Sequence, residues 1–138
     1  MKIKNKIIVI TGGANGIGRE LVLQSLARGA QVAAIDMRQE NLETVASVAR
    51  AGKRLSIHVA DVTDRERILA LPQEIGALHG AVDGIINNAG IIQPFVRVKE
   101  LAVDAIDRVF AVNVHGTLNM IKAFLPVLLE RPEAHIAN

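Results

Sequence analysis

Short apolar runs alternate along the chain with stretches whose apolar residues recur every three or four positions. The runs lie at Ile7–Ile10, Val32–Ile35, Leu55–Val59, Gly84–Ile86 and, more weakly, His135–Ala137. Continuous runs of this kind predict parallel strands covered on both faces. After the first run, Ile17, Leu21 and Leu26 put apolar groups on one face of a helix that Gly29 can stop. Leu42, Val45, Ala46 and Ala49 predict a second helix ending at Gly52. Thr63 and Glu66 have capping-box spacing for a third, and Pro72 predicts a kink or break near Leu71.

From Val103 to Leu129 the pattern changes. Ile106, Val109, Phe110, Val112, Leu118, Ile121, Phe124, Leu125 and Leu128 spread around the helix instead of forming one stripe. A helix apolar on most sides is covered on most sides, and one layer of sheet covers one side. Residues 103–129 are therefore expected to pack against a second copy of the chain; the competing expectation is cover from further sequence. The whole alternation predicts an α/β fold, a doubly wound parallel sheet of about five strands in one domain over residues 1–138. Such sheets bind ligands at the carboxyl ends of the strands, where strand order reverses.

The first predicted strand ends in TGGANGIG. Among Gly12, Gly16 and Gly18, one glycine permits a sharp turn, one lets backbone approach an anion, and one allows tight helix packing. Free N–H groups at the helix start, with their partial positive charge, suit a diphosphate. The spacing is not GxGxxG, and no Lys-Ser/Thr pair of a Walker loop follows. The bland alternative is a turn that holds nothing. Asp36 ends the second predicted strand, where a carboxylate can accept from both hydroxyls of a ribose. It would repel a phosphate on that sugar: at ~4 Å and an effective dielectric of ~20, a like-charge pair costs about 4 kcal/mol. Arg38 could offset part of this; a solvated strand-end acid is the alternative for Asp36.

Composition narrows the partners. The chain has 138 residues, half of them apolar and 22% charged, which suits one soluble globular domain and argues against disorder. The net charge of +2 is scattered, which gives no footprint for nucleic acid. The chain contains no cysteine, which fits a reducing, cytoplasmic location, and its four histidines show no metal-ligand spacing and no obvious partner acid. Ile7–Ile10 is too short for a signal core or a membrane span, so no membrane partner is expected.

TGGANGIG, Asp36, Asp61-Val62, Asn87-Asn88-Ala89-Gly90 and Asn113 together resemble the short-chain dehydrogenase/reductase family, in order and spacing, over essentially the whole chain. The resemblance implies a Rossmann-like fold and a dinucleotide cofactor, NAD, with NADP disfavoured by Asp36. It implies that Gly12, Asn15, Gly16, Ile17, Gly18, Asp36, Asp61, Val62, Asn88, Ala89 and Gly90 line the cofactor. Asp61-Val62 would face the adenine ring, and the NNAG stretch would line the nicotinamide-side ribose. Read alone, Asp61 is an N-terminal helix charge and Asn113 a satisfied core amide. By resemblance, Asn113 is a catalytic position that loosens its helix so that a main-chain carbonyl holds a water.

The implied reaction is hydride transfer between NAD(H) and an alcohol or carbonyl substrate. In the family it also needs a Ser, a Tyr and a Lys four residues after the Tyr, all beyond the fifth strand. The chain has no Tyr, and Ser25, Ser47 and Ser56 lie in the wrong elements. It is therefore expected to be the cofactor half of such an enzyme, cut before the Ser/Tyr/Lys segment. The alternative is a catalytically silent NAD-binding module. An exposed sheet edge and helix face would favour self-association or aggregation. The loop Ile91–Val96 is apolar enough to suggest a substrate with some greasy surface.

Overall fold

A computed structural model describes residues 2–138. Five strands form one parallel sheet: β1 (Ile7–Thr11), β2 (Gln31–Asp36), β3 (Leu55–Val59), β4 (Gly84–Ile86) and β5 (His135–Ala137), in the order β3-β2-β1-β4-β5. All five lie where the apolar runs predicted them. The connecting helices are α1 (Gly16–Ala27), α2 (Gln39–Ala49) and α3 (Arg65–His79), followed by a long helix before β5. That helix comprises α4 (Val103–Phe110), a π-helical segment (Ala111–Gly116) and α5 (Thr117–Leu129).

Alternation along β1 sorts the core into two layers. Ile8 and Ile10 pack with Val22, Leu26, Leu42 and Val45 of α1 and α2. Ile7 and Val9 pack with Leu71, Ile75, Phe124 and Leu128 of α3 and α5. Burial on both faces explains the unbroken apolar runs of β1 and β2. Strand order reverses between β1 and β4, which puts the switch point beside the Gly-rich turn.

Asp83 closes the opposite, amino-terminal end of the sheet. It is 2% exposed and accepts from the Ile7 amide at 3.0 Å and from Arg131 Nε and Nη2 at 3.0 and 2.9 Å. Burial alone would raise its carboxyl; the Ile7 amide and Arg131, with Lys6, outweigh that and hold it below the ordinary carboxylate value.

Several local expectations are corrected. Ile17 is 76% exposed, and α1 buries Gly18, Val22, Ser25 and Leu26 instead. α2 ends on Arg50 in the left-handed region (φ 45°), before Gly52 is reached. The cap of α3 is Asp64, whose carboxylate accepts from the Arg67 amide at 3.0 Å; Thr63 is diverted to Asp61. Pro72 neither breaks α3 nor ends it near Leu71. The helix Val103–Leu129 is long and apolar enough to cross a membrane by length and composition. Met120, Ala123 and Phe124 nevertheless pack it onto the sheet, while Phe110, Val114, Leu118 and Leu125 on its other side are exposed.

Candidate functional site

The carboxyl ends of β1 to β4 open on a cleft of about 500 Å³. Nine of the residues picked from sequence line it: Gly12, Asn15, Gly16, Asp36, Asp61, Val62, Asn88, Ala89 and Gly90. Ile17 and Gly18 do not line it. The wall also contains Arg38, weighed from sequence as an offset to Asp36, Ile91 of the loop read as substrate-facing, and Ile35, Met37, Ala60 and Val112, which sequence reasoning did not assign. Met37 and Arg38 were signalled by their place beside Asp36. Val112 required knowing where the long helix packs.

The three glycines divide their work as follows. Gly12 has φ +65°, and a Cβ there would lie 2.9 Å from Asn88 Nδ2 and 3.0 Å from Ala89 Cα. A Cβ on Gly18 would run into the Gly12 carbonyl, so Gly18 lets α1 start against the turn. Gly16 has φ +51°, and a Cβ there meets nothing within 4 Å, so that side of the turn is open.

Asn15 is the N-cap of α1 but makes no side-chain cap bond, and the first turn carries no acid. An Asn in this place ordinarily satisfies one early N–H. Here the first helical N–H among the described residues to find an acceptor is that of Arg19, on Asn15 O at 3.0 Å. The earlier donors and the helix dipole are left for an anion. Asp36 stands beside them, accepting from the Ala14 amide through Oδ2 (3.2 Å) and from the Arg38 amide through Oδ1 (3.1 Å).

Thr11, another residue the sequence reading missed, ties β4 to the turn. Its Oγ1 accepts from the Asn88 and Ala89 amides, both at 3.0 Å, while Asn88 Nδ2 donates to Thr11 O (3.1 Å) and Gly12 O (3.3 Å). Asn88 thus both lines the cleft and braces the sheet. Asn87 turns the other way, donating from Nδ2 to Asn138 Oδ1 at 2.7 Å.

Across the cleft, Asp61 Oδ1 accepts from the Thr63 amide and hydroxyl, both at 2.8 Å. Its Oδ2 and the Val62 N–H have no partner among the described residues. An unengaged acceptor and donor therefore sit side by side on this wall.

Asn113 lies in the π-helical segment, outside the residues that line the cleft, and is exposed, so it is not the core amide that the sequence read alone suggests. Its Oδ1 accepts from Ile91 N and its Nδ2 donates to Ile91 O, each at 2.9 Å. Its own carbonyl accepts from Thr117 Oγ1 at 2.9 Å.

The histidines correct one sequence expectation. His58 has a partner acid after all, with Nδ1 3.8 Å from Glu74 Oε2, and Nε2 bonds Ser56 Oγ at 2.8 Å. Burial lowers the basicity of both His58 and His79. This cluster does not line the cleft. No group of three or more metal-ligating side chains occurs among the described residues.

The short chain dehydrogenase family model matches residues 6–138. The chain belongs to the short-chain dehydrogenase family. Among curated relatives, it is 33% identical to short-chain dehydrogenase reductase 3b of Arabidopsis thaliana, covering 94% of this chain and 50% of that one. It is 38% identical to 2-(S)-hydroxypropyl-CoM dehydrogenase 3 of Xanthobacter autotrophicus, covering 99% and 54%. The chain spans about half the length of these relatives. The solved structure of NAD+-bound xylitol dehydrogenase matches with a TM-score of 0.92 at 28% identity, over 99% of this chain and 53% of that one. A Shigella flexneri short chain dehydrogenase complexed with NADP matches at 0.91 and 27%, over 98% and 58%. Both solved structures share the fold of this chain over nearly its whole length.

Proposed function

We propose that this chain is the cofactor-binding part of an NAD-dependent oxidoreductase that moves a hydride between NAD(H) and a small alcohol or carbonyl substrate. One observation carries the reading: uncapped N–H donors at the start of α1 lie beside the Asp36 carboxylate in a single cleft. A diphosphate on those donors, at the end of β1, lies midway across the strand order β3-β2-β1-β4. One nucleoside then extends toward β2 and β3, with its ribose at Asp36 and its base at Asp61-Val62. The other extends over Asn88-Ala89-Gly90 after β4. The Val62 N–H and Asp61 Oδ2 match the acceptor and exocyclic amine on one edge of adenine.

Asp36 and the absence of any basic residue in 11–18 favour NAD over NADP. Relatives in fold occur with either, so the choice rests on these side chains. When bound, NAD supplies or accepts the hydride. The chain's own residues hold the diphosphate, orient the sugars and, through Asn113, fix the loop at Ile91. The exposed Ile92 and Phe95 of that loop support a substrate with apolar surface. The exposed apolar side of the long helix supports a homo-oligomer. Scattered charge and the lack of cysteine support a cytoplasmic protein without a nucleic-acid partner.

The test is a titration of the full-length protein with NADH and NADPH, followed by thermal unfolding. NADH at 100 times its dissociation constant should add about 2.7 kcal/mol to stability, and NADPH should add far less at the same concentration. No shift with either dinucleotide would overturn the reading.

A further inference from the structure

Asn119 lies on α5, outside the residues that line the cleft, and is 8% exposed. Its Nδ2 donates to the Val62 carbonyl at 3.0 Å, across 57 positions of sequence. The N–H of the same Val62–Thr63 peptide is taken by Asp61 Oδ1 at 2.8 Å. That peptide is therefore pinned at both poles, one by the long helix and one by the acid beside it. One turn earlier, Gly116 passes so close that a Cβ there would lie 2.5 Å from Val62 Cγ2 and 3.0 Å from Val62 Cβ. The helix thus touches Val62 twice, once by a hydrogen bond and once by bare backbone.

We propose that Asn119 is a positioning residue for the base-binding end of the cleft. By holding the Val62 carbonyl it fixes the Val62 side chain, and with it the neighbouring Asp61 carboxylate, as the wall on which a purine lies. Gly116 supplies the clearance that lets the wall sit there. This rests on the dinucleotide reading above and deepens it: Asn119 governs the adenine half of the ligand and leaves the nicotinamide half untouched. The physical reason is local. Val62 lies after β3, whereas Asn88, Ala89 and Gly90 follow β4, with two strands between them in the sheet. A buried carbonyl that loses its donor must move to find another or remain unsatisfied.

Asn119→Asp keeps the side-chain shape but replaces the donor with a carboxylate facing a carbonyl. In the full-length protein, the dissociation constants of ADP-ribose and of reduced nicotinamide mononucleotide are measured for the wild type and this variant. ADP-ribose should weaken by about tenfold, the scale of one buried hydrogen bond, with the mononucleotide unchanged. In turnover, KM for NADH should rise with kcat retained.

Equal weakening of both ligands, or of neither, overturns the proposal. A wild type that binds neither ligand overturns the dinucleotide reading itself. If Asn119→Asp fails to fold, Gly116→Ala tests the same wall by pushing Val62 out of place. This change should weaken ADP-ribose and leave the mononucleotide unchanged. No selective loss overturns the proposal.

Discussion

Asp36 Oδ2 accepts a hydrogen bond from the Ala14 amide at 3.2 Å. The acid assigned to the ribose is therefore also a brace for the turn assigned to the diphosphate. Charge and bracing can be separated. Asp36→Asn retains an acceptor for Ala14 but removes the charge, so NADPH binding should strengthen relative to NADH by roughly tenfold or more. Asp36→Ala removes both, and NADH binding should weaken as well. Fluorescence titration with each dinucleotide measures the ratio. A ratio that stays within about twofold of wild type in Asp36→Asn would remove electrostatics from the explanation.

Gly16 and Gly18 should fail in different ways. A Cβ on Gly18 meets the Gly12 carbonyl and lies 2.5 Å from Asn88 Nδ2. Gly18→Ala should therefore destabilise the fold by about 2 kcal/mol or more, in the manner of an overpacked core. Gly16 has open space but φ +51°, so Gly16→Ala should cost only about 1 kcal/mol of strain. Its methyl nevertheless occupies the side of the turn where a ligand would approach the backbone. Melting curves and NADH titrations of both variants check this. A Gly16→Ala protein that binds NADH like wild type would place the diphosphate elsewhere.

The strands were legible because burial on both faces of the sheet keeps Ile7–Ile10 of β1 and Val32–Ile35 of β2 apolar without a break. The cleft was legible as far as its chemistry is local: glycines, Asp36, Asp61-Val62 and NNAG sit at strand ends. What escaped depended on contacts between distant segments. Ile17 has the spacing of a core residue, but the turn before it is given to the cleft. Thr63 has the spacing of a cap, but Asp61 takes its hydroxyl first. Asn113 stood out as a polar residue in an apolar helix. Neither its grip on Ile91 nor the π-helical turn around it follows from spacing. His58 finds Glu74 only because α3 packs beside β3.

That histidine cluster predicts a pH dependence. Gln31 Oε1 lies 3.1 Å from His79 Nδ1, so His79 donates there, and its Nε2 accepts from Ser56 Oγ at 2.8 Å. Ser56 in turn accepts from His58 Nε2, leaving His58 Nδ1 bare toward Glu74, which Arg67 grips at 2.5 and 2.9 Å. Both imidazoles are neutral in this arrangement. Burial lowers both from the ordinary value of 6.5; at His58 the Glu74 charge opposes this and is outweighed, while Arg67 and His79 add to the lowering. The unfolded chain then takes up protons that the native state refuses. Stability is complete above the ordinary value and falls as the pH drops from there toward the lowered native values. The slope is at most about 1.4 kcal/mol per pH unit for one histidine. Urea unfolding from about pH 7.5 to about 5.5 measures it. His58→Asn should flatten the curve; a wild-type curve already flat over that range would refute the neutral assignment.

The outer side of the long helix makes the last prediction. Ile106, Phe110, Val114 and Leu118 follow one another at four-residue steps and are all exposed, and Leu125 and Leu129 continue the row. Phe95 and Val98, 89% and 87% exposed, lie in the segment leading into that helix. A contiguous apolar row of this length is unusual on a monomer and suits a self-complementary interface. The residues facing the sheet, Met120 and Phe124 among them, are already buried, so a partner can engage only the outer row. Phe110→Glu with Leu118→Glu puts two charges into that row without touching the core. In sedimentation velocity the wild type should run as a dimer or larger and the double variant as a monomer with unchanged helical circular dichroism. A wild type that sediments as a monomer would assign the row to some other cover, and a double variant that still assembles would move the interface off this helix.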